Sequence, residues 1–169
     1  MRARLAWIGW ALAGLGLLAG CSESDAPDDD LTAIRPPDIA RIVPASEAIS
    51  GAHIPTLDPA PMNDAEILKA LGAGPHCEFK YTSTGKPVLV VKALPNGAAQ
   101  GVVKLNGHLV LLQSAPAESA VVLAADRIRM ALTPDPGDDA DGSQMEATSI
   151  FEIGNDLRAG YRGYYDCLD

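Results

Sequence analysis

The chain has 169 residues, with 22 acidic against 13 basic side chains and a formal net charge of −9. That length suits one domain with a tail. The acidic balance excludes electrostatic attraction to nucleic acid or to an anionic membrane surface, and leaves a basic partner or plain solubility as its meaning.

Arg2 and Arg4 open the chain, and Leu5 to Gly20 is uncharged and almost wholly apolar. About 20 apolar residues are needed to span a bilayer, so this run is short for a span and suits the core of a signal peptide. It ends on Leu17-Leu18-Ala19-Gly20-Cys21, which resembles a bacterial lipobox. The resemblance implies cleavage before Cys21 and acyl chains on its sulfur and amine, and two or three chains anchor firmly where one does not. Ser22 follows the cysteine where inner-membrane lipoproteins tend to carry aspartate, so the expected address is the outer membrane, periplasmic face. Removal of residues 1–20 leaves eleven basic residues against 22 acidic, a net charge of −11.

Residues 21–61 are expected to form a lipidated, disordered tether. They hold Asp28-Asp29-Asp30, Pro36-Pro37 and five further prolines, with few large apolar groups and no aromatic. Such a composition buries too little surface to offset its ordering entropy. Pro44 to Ser50 could add a turn of helix, and His53 is expected to be exposed.

Residues 62–169 are expected to form the folded domain. Asn63 to Leu71 reads as a short helix, with Asn63 and Glu66 at capping-box spacing, Ile67, Leu68 and Leu71 on one face, and Gly72 as its stop. From Cys77 the period changes to two. Cys77, Phe79 and Tyr81 alternate with Glu78, Lys80 and Thr82; Val88 to Ala93, Val102 to Leu105 and His108 to Gln113 follow. Asn106-Gly107 between the last two is the strongest hairpin signal and predicts a type I′ turn. Ala120 to Ala124, Ile128 to Leu132, Ala147 to Ile153 and Leu157 to Cys167 complete seven or eight short strands. The expected class is all-β, a small antiparallel barrel or sandwich with one short leading helix.

Once Cys21 carries lipid, Cys77 and Cys167 are left in an oxidising compartment, at the two ends of the folded domain. A disulfide between them closes a loop of about ninety residues. The competing reading makes Cys77 a nucleophile beside His76, but adjacent strand residues point to opposite faces.

The last strand, Gly160-Tyr161-Arg162-Gly163-Tyr164-Tyr165-Asp166-Cys167, supplies the candidate partner contacts Tyr161, Arg162, Tyr164 and Tyr165, because tyrosine and arginine are enriched in binding hot spots. The structural alternative has the tyrosines closing a barrel end, with Arg162 and Asp166 pairing locally. The acidic loop from Pro134 to Ser143 offers Asp139 and Asp141 as weak calcium candidates; aligned on Gly142, an EF-hand loop would need ligands at Gly137 and Thr148 and finds none. No catalytic motif is present, the histidines at 53, 76 and 108 are scattered, and no enzyme or cofactor is indicated.

Cys77, the strand pair from Gly101 to Leu112 and Cys167 follow one another in an order similar to that of the membrane-bound C-type lysozyme inhibitors. These are small periplasmic lipoproteins with a β-barrel whose first and last strands carry bridged cysteines. The resemblance covers about ninety residues and implies a barrel that could inhibit a hydrolase. The inhibitors' Ser-x-Ser-Gly-x-x-Tyr-like segment has no counterpart, since Gly160-Tyr161-Arg162-Gly163 lies elsewhere in the order. The favoured expectation is a non-enzymatic lipoprotein whose β-domain binds an envelope protein or glycan; a hydrolase inhibitor and a weak calcium-dependent binder are the alternatives.

Overall fold

A computed structural model describes residues 38–117, 120–135 and 144–169. Eight antiparallel strands run in sequence order and close into a barrel: β1 (His76–Lys80), β2 (Pro87–Ala93), β3 (Ala99–Leu105), β4 (His108–Ser114), β5 (Val121–Ala125), β6 (Ile128–Pro134), β7 (Met145–Ile153) and β8 (Leu157–Leu168). The expected signal peptide, the lipobox-like stretch ending at Cys21 and the expected tether as far as Pro37 lie outside the described residues.

Strand alternation builds the interior. Phe79, Leu89, Val103, Leu112, Met130 and Phe151 point inward and are almost fully buried. Along β7, alternate residues from Ala147 to Ile153 are buried while those between are partly solvated, the pattern of a sheet with one wet face. β2 differs: Pro87 to Val91 are all buried. Its second face lies under helix α2 (Asp64–Leu71), whose Ile67 and Leu71 join Met62 against the outward-facing Val90, Val102 and Leu109. A strand covered on both sides reads as an unbroken apolar run, as Val88-Leu89-Val90-Val91 does.

The ends of α2 match their sequence signals. Asn63 and Glu66 form a reciprocal capping box, and Gly72 caps the C-terminus at φ 69°. Lys92 adds a bond to the orphan carbonyl of Leu71 at 3.0 Å, as cations do at helix C-termini. In the β3–β4 hairpin, Asn106 and Gly107 take φ of 48° and 76°, the left-handed pair that a type I′ turn requires.

The expected tether is shorter than its composition suggests, because residues 38–61 pack on the barrel. Leu109 exchanges backbone hydrogen bonds with Arg41 and Val43, and Ala60 N–H donates to Lys104 C=O at 2.8 Å. Helix α1 (Ala45–Ala48) adds Ala45 and Ala48 to the interior cluster, together with Val43 and Ile49. A few small apolar groups suffice here because each is buried almost completely. Averaging over a proline-rich stretch conceals them.

The Cys77–Cys167 disulfide is present and joins β1 to β8, where the two cysteines are direct cross-strand partners. It therefore closes the barrel covalently at its seam.

Candidate functional site

The four candidate contact residues are divided by the alternation of β8. Tyr165 points inward, is 8% exposed and packs in the core, so it is a structural residue and not a partner contact. Burial pushes its phenol pKa up. Tyr161 also points inward, in the half of the strand where burial is incomplete. Its hydroxyl donates to the Asp58 carboxylate, and its ring lies 5.1 Å from that of Tyr81, tilted at 42°. Tyr81 in turn donates to the Pro59 carbonyl at 3.0 Å. Burial, and then the Asp58 carboxylate, raise the pKa of both phenols. This pair tethers the N-terminal segment to the barrel wall.

Arg162 and Tyr164 face outward. The Arg162 guanidinium pairs with Asp135 at 2.9 Å and with Glu146 at 3.0 Å, not with Asp166 as the local reading had it. Asp166 instead holds Lys80, whose ammonium sits 3.2 Å from it and 3.0 Å from Glu78. Burial alone would lower the Lys80 pKa, but the hydrogen bonds its ammonium donates to those two carboxylates, and their charge, outweigh it and the pKa is raised. Arg162, Gly163 and Tyr164 line a surface concavity of about 370 Å³ together with Tyr81 and Glu146. The last two were not singled out in the sequence: Glu146 enters by its register opposite Tyr164, which no local pattern discloses.

An ion ladder lies on the same outer face, two rows along from Arg162. Arg129, Glu152 and Arg158 are aligned across β6, β7 and β8, with Glu152 3.1 Å from Arg129 and 2.5 Å from Arg158. Such a surface can recognise charge and shape. For nucleophilic or acid–base chemistry it offers little. His76 turns away from Cys77: its Nδ1 lies 2.9 Å from the Gly74 carbonyl and its Nε2 3.3 Å from Glu78. His53 is exposed and contacts Thr56. His108 carries a buried Nδ1 without a hydrogen-bond partner among the described residues.

Among the described residues no group of three or more His, Cys, Asp or Glu side chains could hold a metal ion; Asp139 and Asp141 lie outside them. No helix among the described residues is long and apolar enough to cross a membrane.

No curated protein and no solved structure matches the chain. The family model described as "Domain of unknown function (DUF6692)" matches residues 17–169, and the chain belongs to that family.

Proposed function

We propose that this chain is a lipid-anchored envelope protein, held at the periplasmic face of the outer membrane through Cys21, whose barrel binds an envelope partner without catalysing a reaction. The observation that carries the reading is the pairing of two signals. Leu17 to Cys21 has the form of a lipidation site, and the only two other cysteines of the chain form a disulfide across the barrel seam. Disulfides persist in oxidising compartments, so the second signal agrees with the first. The contact surface is the outer face of β8 around Arg162 and Tyr164, with Glu146 and Tyr81 beside them.

Intact mass of the protein extracted from membranes of its host, with and without reductant, tests this. The expected result is loss of residues 1–20, added acyl mass on Cys21, and a gain of two hydrogens on reduction. An uncut chain with all three thiols free would overturn the address.

Hydrolase inhibition is the second reading. A barrel whose first and last strands are bridged by cysteines is what the likeness to lysozyme inhibitors implies, and the net charge of −11 left after removal of residues 1–20 suits a basic enzyme. Absence of the inhibitors' cleft-entering segment counts against it. Titration of the purified protein into a lysozyme assay decides: no inhibition at micromolar excess ends this reading.

A further inference from the structure

β8 is longer than the strand that closes the barrel against it. It runs from Leu157 to Leu168, whereas β1 pairs only with Tyr164 to Leu168 and ends at Lys80. From Leu157 to Arg162, β8 is hydrogen-bonded on one side to β7. On its other side no backbone group of these residues bonds to any described residue.

Burial reports the same gap. Ser149 and Phe151 of β7 are fully buried, but their cross-strand partners Tyr161 and Ala159 are only half-buried. On the outer surface at Gly160 nothing lies within 4 Å of where a Cβ would stand, so that face of the strand is also uncovered among the described residues. A strand edge of this kind is a template for another strand.

The rows of side chains leading to the edge indicate what would add. On the outer surface the first row reads Arg129, Glu152, Arg158 across β6, β7 and β8, so positive, negative and positive charge alternate and the row stops on a cation. Arg158 is 69% exposed. The next row, Ala131, Ile150, Gly160, is apolar and shallow. The row after it ends on Arg162, which pairs with Asp135 and Glu146 yet stays 72% exposed. Opposite charges directly across a ladder stabilise and like charges destabilise. A second copy of this chain, pairing antiparallel about Gly160, would set Arg158 against Arg162 twice, so a symmetric edge-to-edge dimer is disfavoured.

We propose that the free edge of β8, Leu157 to Arg162, receives an extended segment of a partner protein as an added strand. Its outward face carries carboxylates at two positions four residues apart, with an apolar residue midway. The pattern reads the same in both chain directions, so it fits parallel and antiparallel addition alike. This extends the partner-binding reading of β8 and names the partner's chemistry; it does not depend on the lipid anchor.

The test uses the full-length, disulfide-bonded protein and a labelled nine-residue peptide. The peptide alternates threonine and valine, except for two glutamates flanking a central outward valine two residues away on either side. Anisotropy should show saturable binding at one peptide per chain. N-methylation of the peptide backbone should abolish binding at one alternating set of positions and spare the other, because only one set faces the edge. The R158E/R162E double variant should lose about tenfold or more in affinity for the glutamate peptide, and should gain affinity for a peptide with lysines in place of the glutamates. The N-methyl series needs no variant, so it stands if the double variant folds poorly.

No saturable binding at about millimolar peptide would overturn the proposal. So would binding indifferent to N-methylation at every position, or a dimer in light scattering that excludes the peptide. Failure here leaves the lipoprotein reading to the mass measurement, which involves no peptide.

Discussion

The Lys104 ammonium donates to the Glu66 carboxylate at 2.7 Å, and this contact joins the first turn of α2 to the outer face of β3. Glu66 is fully buried and also accepts from the backbone N–H groups of Asn63 at 3.0 Å and Ala40 at 3.3 Å. One carboxylate thus closes the capping box, holds the N-terminal segment and anchors the helix on the barrel.

Glu66 makes stability depend on acid. Burial by itself would raise its carboxyl pKa, but the Lys104 hydrogen bond, the two backbone N–H groups and the Lys104 charge outweigh it and hold the pKa below the ordinary value of about 4.5. A pKa lowered on folding adds stability that is fully present above the unfolded value and is lost as pH falls through the folded one. Unfolding free energy should therefore drop as pH goes below about 4.5. Glu66→Gln should cost about 2–3 kcal/mol at neutral pH and flatten the acid limb, as read by urea denaturation across pH.

Two glycines three residues apart in β8 should behave in opposite ways. A Cβ at Gly163 would lie 2.1 Å from the Lys80 carbonyl oxygen and 2.8 Å from the Phe79 ring, so β1 and β8 can pair closely there only because the side chain is missing. Gly163→Ala should destabilise by about 1–3 kcal/mol, the usual range for overpacking. At Gly160 the space is open, and Gly160→Ala should be neutral or slightly stabilising, since alanine loses less backbone entropy on folding. Denaturation midpoints of the two variants measured side by side check this.

The disulfide should matter to stability about as much as the largest core side chains. With 90 residues between the cysteines, removing the bridge by Cys77→Ala with Cys167→Ala should lower stability by about 4–5 kcal/mol in the chain-entropy treatment. Reductant should shift the wild-type melting temperature by a similar equivalent and leave the double variant unchanged.

Adjacent tyrosines separate core from surface. Tyr165→Ala removes a ring from the barrel interior and should cost about 3–5 kcal/mol, as large aromatic truncations in cores do. Tyr164→Ala should stay within about 0.5 kcal/mol of wild type. If the outer face of β8 is the contact surface, the Tyr164 variant keeps the fold yet loses its crosslinked partner in membranes; unchanged crosslinking would make Tyr164 merely a surface residue.

Local signals and observed structure agree where the cause is local. Asn63, Glu66 and Gly72 mark both ends of α2 because capping concerns backbone groups within one turn. Asn106 and Gly107 mark the hairpin because few residues tolerate positive φ. The alternation of Phe79, Met130 and Phe151 marks inward faces because strand side chains change sides at every step. The limits of the tether were not legible, since Val43, Ala48 and Ile49 gain their burial from a barrel end made by distant strands.

The sequence by itself therefore determined an all-β domain of seven or eight short strands, its turns, its leading helix and the cysteine pair placed to bridge it, all through interactions between near neighbours or through a repeating period. Only the tertiary structure decided that these strands close into a barrel and not a sandwich, that Tyr165 lies inside while Arg162 pairs with Asp135 and Glu146, that Glu66 meets Lys104 across 38 residues, and that β8 outruns β1 to leave an edge unpaired among the described residues. These outcomes depend on strand register and on the relative lengths of strands far apart in the chain. Register is set by the summed packing of a whole face, so no residue carries it alone.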